Sequence, residues 1–172
     1  KCHDKSKFEI IGFSFIPGKP DYMHNEIKKN FDQFFDVNLK TDKEIAKLSQ
    51  DMNVDIAVDL MGLTTHSRTG IFTECCAPIK INFLGYPGTL GTNCHDYIIA
   101  DKTLIPEKYQ KDYSEKIIYL PDSYKLDHSS RKVSNKIFTK KELGLPENSF
   151  VFCCFNNNFK ITPSVFNIWM NI

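Results

Sequence analysis

Lys160 stands between an asparagine-rich turn, Asn156-Asn157-Asn158, and a helix start, Thr162-Pro163. Threonine offers an N-cap, and proline suits the first helical position. Backbone N–H groups at a helix N-terminus attract anions, and a nearby ammonium adds a full charge. The chemistry this suits is phosphate binding; a solvated surface lysine beside a turn fits the same residues. A second cluster is Leu84-Gly85-Tyr86-Pro87-Gly88-Thr89-Leu90-Gly91, with three glycines and a proline directly after the apolar run 79–83. Glycine lets a ligand or another backbone come close, and Pro87 fixes its own φ and restricts Tyr86. The expected product is a rigid loop with bare N–H groups at a strand's end, where α/β proteins place ligands. A plain tight turn uses the same residue types. The loop matches neither GxGxxG nor a Walker P-loop, which counts against dinucleotide and nucleoside-triphosphate sites.

The remaining polar candidates read more structurally. Asp55 and Asp59 lie four apart on an expected strand and so face one side of it. Paired carboxylates serve glycoside hydrolysis, but aspartates at strand ends more often cap neighbouring N–H groups. Asp96 and Asp101 read the same way. Arg68 could hold a carboxylate or phosphate bidentately, or cap the sheet by pairing with Asp59, the favoured role. His66, in a polar loop, reads as solvated, and Cys94 and His95 as loop filler. Of six cysteines, Cys75-Cys76 and Cys153-Cys154 are adjacent pairs in apolar segments, and none has CxxC spacing. Buried free thiols in a reducing compartment are the plain reading. A metal site from Cys2 and His3 or the paired cysteines is opposed by strand geometry, which turns neighbours to opposite faces. No metal site is assigned.

The elements that must position these residues alternate in type. Residues 8–15 read as a strand, and Pro17, Gly18 and Pro20 break the chain after it. Met23, Ile27, Phe31 and Phe34 or Phe35 have helical spacing over residues 22–35. Thr41-x-x-Glu44 is a capping box opening a helix with Ile45, Leu48 and Met52 on its apolar face. Residues 54–61 read as a buried parallel strand ending at Gly62. A helix is expected over 69–76, and strands over 79–84, 97–100 and 116–120. Residues 122–136 turn polar and read as a linker. Thr139-x-x-Glu142 is a second capping box, 149–155 a buried strand, and 165–172 an amphipathic helix. Strands alternating with helices imply βαβ units and parallel sheets. The domain reading is 1–121 as one lobe, 122–136 as linker and 137–172 as the beginning of a second lobe.

Composition narrows the classes. The 172 residues are 41% hydrophobic with 14 Phe, enough for a substantial core. The 22 basic and 21 acidic residues nearly cancel, which argues against a nucleic-acid or membrane-surface protein. No apolar run approaches a membrane span. The N-terminus is not a signal peptide. Lys1 opens the chain without an initiator methionine, and Ile172 closes it inside an apolar stretch; the expectation is a fragment of a longer protein.

Several words in order carry a resemblance: Ala77-Pro78-Ile79, the Leu84–Gly91 loop, Asp96-Tyr97-Ile98-Ile99-Ala100-Asp101, Tyr113-Ser114-Glu115-Lys116, Tyr119-Leu120-Pro121, and Phe155-Asn156-Asn157-Asn158-Phe159-Lys160-Ile161-Thr162-Pro163. The sequence resembles the catalytic region of the O-GlcNAc transferase family, the UDP-GlcNAc:polypeptide O-linked N-acetylglucosaminyltransferases and their bacterial relatives, over nearly its whole length. The resemblance implies an α/β, two-lobed GT-B-type glycosyltransferase with the donor between lobes. The interlobe link is short, as in the bacterial relatives. It implies that Lys160 is the diphosphate-binding lysine, and that Leu84, Gly85 and Pro87 belong to the loop approaching sugar and acceptor. Asn157 stands where relatives commonly carry a nucleotide-contacting Gln, and Phe159 where many carry Tyr. In Gly62-Leu63-Thr64-Thr65-His66-Ser67-Arg68, Leu63 replaces an aromatic, and the match gives His66 no catalytic role.

The implied activity is inverting, metal-independent transfer of N-acetylglucosamine from UDP-GlcNAc to Ser or Thr hydroxyls of proteins, in the cytoplasm, with no cofactor beyond the UDP-sugar donor. Its partners are the UDP-sugar and a protein or peptide acceptor, not nucleic acid or membrane. The family's helical repeats would lie upstream of Lys1. Its histidine elements and the residues closing the nucleotide pocket would lie outside this chain, so the isolated fragment is expected to be inactive. The alternative is a non-catalytic, repeat-linked interaction protein that retains the fold, which Asn157 and Phe159 favour. An unrelated α/β nucleotide-binding protein is the third reading.

Overall fold

A computed structural model describes residues 3–15, 20–126 and 133–172. The chain divides into two compact units, residues 1–127 and 128–172.

The first unit carries two parallel sheets. In one, β1 (Ile11–Ser14) pairs with β2 (Gln33–Asp36), Ile11 opposite Gln33. In the other, β3 (Ile56–Asp59), β4 (Ile79–Asn82), β5 (Tyr97–Ala100) and β6 (Lys116–Tyr119) lie in chain order. The connections include α1 (Tyr22–Lys28), α2 (Asp42–Asp51), the single turn α3 (Gly70–Thr73) and a 3₁₀ helix, Glu107–Asp112. One core cluster joins Val37, Ile45, Ala46, Ile71, Phe72 and Cys76, with Phe13, Phe35 and Ala57 packed against it. It lies where α2 and α3 meet both sheets. A second cluster, Ile98, Ala100 and Ile105, sits under β5 and β6. Each large buried side chain contributes about 1.5–3 kcal/mol.

The Thr41 capping box forms as expected: Thr41 Oγ1 accepts from the Glu44 N–H, and the Glu44 carboxylate accepts from the Thr41 N–H. Other expectations are corrected. The helix expected over 22–35 stops at Lys28 and β2 follows. Asn30 Nδ2 donates to the Glu26 carbonyl at 2.9 Å, and Asp32 accepts from the Ile10 N–H at 2.9 Å. The first bond closes the helix end and the second ties the chain beside β1. The helix expected over 69–76 shrinks to α3. The strand expected over 54–61 shortens to β3, and it is not buried throughout: Ile56 and Val58 are about half exposed, at 48% and 46%. The wall β3 shares with β1 is not a hydrogen-bonded one; a slot separates the two strands.

The second unit is described by itself. A 3₁₀ turn (Asn158–Lys160) precedes α4 (Pro163–Met170), whose N-cap Thr162 accepts from the Val165 N–H. The capping box at Thr139 and Glu142 forms, but the residues after it make only turns, closed at Gly144 with φ +66°. Residues 149–155 form no strand, and Phe150, Phe152 and Phe155 are exposed. A strand needs a neighbour for its N–H and C=O groups, and none of the described residues supplies one. Part of the expected linker, 127–132, and Cys2, Pro17 and Gly18 lie outside the described residues. Of the described cysteines, all are free; Cys76 is buried, with burial pushing its thiol up to about 11, whereas Cys75, Cys153 and Cys154 are exposed rather than buried.

Candidate functional site

The glycine-rich loop opens on a backbone outlier. Leu84 has φ +72°, and the Gly85 N–H donates to the Phe83 carbonyl at 2.9 Å. Together these make a three-residue γ-turn, a strained conformation for a bulky side chain. A Cβ on Gly85 would lie 2.0 Å from the Leu60 carbonyl oxygen, so only glycine lets the loop pass the end of β3. Gly62 has φ +56°, and a Cβ there would meet the Tyr86 Cβ at 2.5 Å. The loops after β3 and β4 therefore pack backbone to side chain, at the carboxyl ends of the strands where open α/β sheets bind ligands.

Two buried side chains hold this loop, and the sequence reading gave neither a role. Asn82, fully buried at the end of β4, donates from Nδ2 to the Tyr86 carbonyl at 3.0 Å and to the Gly88 carbonyl at 3.3 Å. Glu115, also buried, accepts from the Leu90 N–H and from the Thr89 hydroxyl, both at 2.7 Å. Tyr113 adds a long bond from its hydroxyl to the Pro87 carbonyl, 3.4 Å. The available signals were a lone amide between Ile81 and Phe83 in an apolar strand, and a carboxylate directly before β6. Leu84, Gly85 and Pro87 are thus one clamped loop.

The neighbouring polar residues depart from expectation. Arg68 does not pair with Asp59; its guanidinium engages Asp42, Nε to Oδ1 at 2.6 Å, and donates from an Nη to the Lys40 carbonyl at 2.8 Å. Asp59 instead caps the Met61 and Gly62 N–H groups at 2.8 and 3.0 Å and faces His95, Oδ2 to Nε2 at 3.2 Å. Burial pushes the Asp59 carboxyl up, but the bonds from His95, Gly62 and Met61 outweigh it and hold it below its ordinary value. His95 is not loop filler: it is buried against Phe72, ring centroids 4.4 Å apart, and Cys94 Sγ lies 3.3 Å from its Nδ1. Asp55 is exposed and shares none of this environment, so no carboxylate pair forms. His66 is exposed with φ +65°. Asp96 and Asp101 are caps as expected, Asp101 accepting from the Thr103, Leu104 and Tyr124 N–H groups.

In the second unit, Asn157 and Lys160 lie on one exposed turn, the Lys160 N–H donating to the Asn157 carbonyl at 3.0 Å. Among the described residues no salt bridge or side-chain hydrogen bond engages the Lys160 ammonium. The turn leads through Ile161 to the capped N-terminus of α4. A flexible cation beside exposed helical N–H groups can meet an anion.

The sequence is 30% identical over 175 residues to a probable UDP-N-acetylglucosamine–peptide N-acetylglucosaminyltransferase, SEC, of Arabidopsis thaliana, covering 99% of this chain and 18% of that protein. It is 27% identical over 174 residues to a probable enzyme of the same description, SPINDLY, of Petunia hybrida. The chain thus spans about a fifth of the length of these relatives. Its structure is similar to that of a mutant Thermobaculum terrenum O-GlcNAc transferase, with TM-score 0.66, 29% identity, 71% of this chain and 23% of that chain covered. The α/β fold with parallel sheets and flanking helices is therefore of the GT-B glycosyltransferase type. The profile of glycosyl transferase family 41 matches residues 1–134 and 129–172, and with the clamped loop and the lysine turn both inside that match, the chain belongs to glycosyl transferase family 41.

Proposed function

We propose that the protein this chain builds is an inverting transferase that moves N-acetylglucosamine from UDP-GlcNAc to Ser or Thr hydroxyls of proteins, without a metal ion. The observation that carries the reading is the Lys160 ammonium, engaged by no side chain among the described residues and beside the start of α4, in a chain of this family. Expulsion of UDP puts charge on a diphosphate, and a positioned cation with helical N–H groups stabilises that charge as it develops. Asn157 faces the nucleotide from the same turn. The clamped backbone at Leu84, Gly85 and Pro87 reads sugar and acceptor hydroxyls, since a loop fixed before the substrate arrives costs no reorganisation in the transition state. Among the described residues no helix is long and apolar enough to cross a membrane, and the reading places the protein in the cytoplasm with helical repeats upstream.

A second reading, a non-catalytic relative that keeps the fold, is favoured by Asn157 and Phe159, which depart from the family's usual nucleotide-contacting residues. One assay separates them. UDP release from UDP-GlcNAc is measured with the full-length protein and an acceptor mixture, wild type beside Lys160→Ala. The transferase reading expects the variant to fall at least ~100-fold, the size typical of losing one electrostatic stabiliser, while remaining folded. Release from another UDP-sugar moves the donor and implicates Asn157. No release from any donor by a folded wild type establishes the second reading.

A further inference from the structure

Three side chains that sugar transfer leaves unused form a relay just ahead of β5. Cys94 Sγ lies 3.3 Å from His95 Nδ1, and His95 Nε2 lies 3.2 Å from Asp59 Oδ2. The imidazole is buried against Phe72, whereas Cys94 is only half-buried. Asp59 keeps its carboxyl below the ordinary value despite its burial, so near neutral pH it is ionised and can only accept hydrogen bonds. Its Oδ1 takes the Met61 and Gly62 N–H groups, which leaves Oδ2 for the ring. The ring proton therefore sits on Nε2, and Nδ1 is a bare acceptor facing the thiol. On the other side of the sulfur, Thr92 Oγ1 lies 2.8 Å away. With the S–H turned to Nδ1, the Thr92 hydroxyl is the donor in that contact. A thiol with a base on one side, a donor on the other and a carboxylate behind the base is the arrangement that activates cysteine nucleophiles. Among the described residues no other cysteine sulfur has a histidine as hydrogen-bond partner.

We propose that Cys94 is a base-assisted nucleophilic thiol and a modification site, forming mixed disulfides with small disulfides. The step balances without any further reagent. The Cys94 proton passes to His95 Nδ1 as Sγ attacks one sulfur of the incoming disulfide. The new S–S bond forms as the old one breaks, and the leaving thiolate collects the proton from the imidazolium. Cys94 is oxidised to the mixed disulfide, and half of the reagent is reduced to a free thiol. Asp59 stabilises the imidazolium while it exists, and Thr92 stabilises the negative sulfur. Disulfides are the class that suits this thiol. Exchange needs an attacking sulfur and room for a linear approach, and no bound carbonyl or oxyanion donors. Cys94 also packs on the core cluster that contains Phe72, and it follows directly on the loop clamped by Asn82 and Glu115. An adduct there removes the thiol proton from His95, the partner that ties the start of β5 to Asp59. The proposal concerns thiol chemistry and stands whether or not the protein transfers a sugar.

Labelling rates on the full-length protein test it. The probe is bis(hydroxyethyl) disulfide, small and uncharged, and the adduct at Cys94 is followed by acid quench and peptide mass spectrometry. The reference is Cys94 in the same protein unfolded in concentrated urea. Burial alone makes the folded rate the lower of the two. Base assistance, typically about 100-fold or more, should outweigh burial and make the folded rate at least about 10-fold higher. A folded rate equal to or below the unfolded one overturns the proposal. His95→Gln keeps a donor for Asp59 but offers the thiol no base, and should slow folded Cys94 at least about 10-fold. Asp59→Asn, acting through the ring, should slow it at least about 3-fold, the size of one modest polar interaction. The sign separates chemistry from structure, because a loosened fold exposes Cys94 and speeds its labelling. Folded His95→Gln protein that labels as fast as wild type, or faster, overturns the proposal. If His95→Gln does not fold, the wild-type comparison decides together with Thr92→Val, at an exposed position. That variant should also slow Cys94 about 3-fold, and an unchanged rate overturns the proposal.

Discussion

At Leu84 and Gly85 the chain accepts strain in order to place backbone. Leu84 takes φ +72° although nothing about leucine favours it, and Gly85 passes the Leu60 carbonyl at a distance no Cβ allows. The glycines of this loop are not equivalent. Gly91 also has positive φ, +64°, but nothing lies within 4 Å of a Cβ built there. Gly91→Ala therefore costs only the left-handed conformation, about 1–2 kcal/mol. Gly85→Ala drives a methyl into a backbone oxygen that cannot move away, and should cost more than about 3 kcal/mol. Urea midpoints of the two variants check this, and equal shifts would show that the loop yields instead of β3. The loop's importance was legible from its glycines and proline. Its clamps were not, because the partners of Asn82 and Glu115 are backbone groups and the Thr89 hydroxyl, 4 to 26 residues away, which a linear reading does not bring together.

Between elements, the buried Asp59–His95 contact joins the end of β3 to the start of β5. It also shows why parts of the fold escaped the sequence. Capping boxes at Thr41 and Thr139 are local and both form, and β1, α2 and β4 to β6 follow their apolar patterns. Phe31, Phe34 and Phe35 fit a helix as well as a strand, and only pairing with β1 decides for the strand. His95, next to Asp96 in a polar stretch, has no sequence sign of burial. The contact makes a prediction about acid. The Asp59 carboxyl is held below its ordinary value of 3.8, so the folded state binds that proton less readily than the unfolded state. The stability it contributes is complete above about pH 3.8 and is lost as pH falls through the folded value. Asp59→Asn keeps an oxygen to cap Met61 and Gly62 while removing the charge. The stability gap between wild type and variant, from urea unfolding, should be largest near neutrality and close as pH falls from about 5 to about 2. A gap constant over that range would mean that the charge contributes nothing.

On the scale of the molecule, the two units differ in what holds them. The first has two core clusters. In the second, none of the described residues is buried, and Phe152, Phe155, Phe159 and Ile168 stand in solvent. Among the described residues, the turn this unit carries is held by its own short bonds, Lys160 to Asn157 and Ile161 to Asn158. Binding a diphosphate there means ordering Lys160, Asn157 and the start of α4 at the moment of binding. That entropy cost, about 1–2 kcal/mol for each residue's backbone, offsets the charge–charge gain. The 172-residue chain should therefore bind UDP more weakly than about 1 mM, which corresponds to only about 4 kcal/mol, and should release no UDP from UDP-GlcNAc. On the proposed function, a polypeptide of the length of the matched relatives, of which this chain spans about a fifth, should bind at least tenfold more tightly. Titration of both polypeptides by calorimetry checks this. Binding by the 172-residue chain as tight as that of the full-length protein would mean that the turn is ordered without a core beneath it.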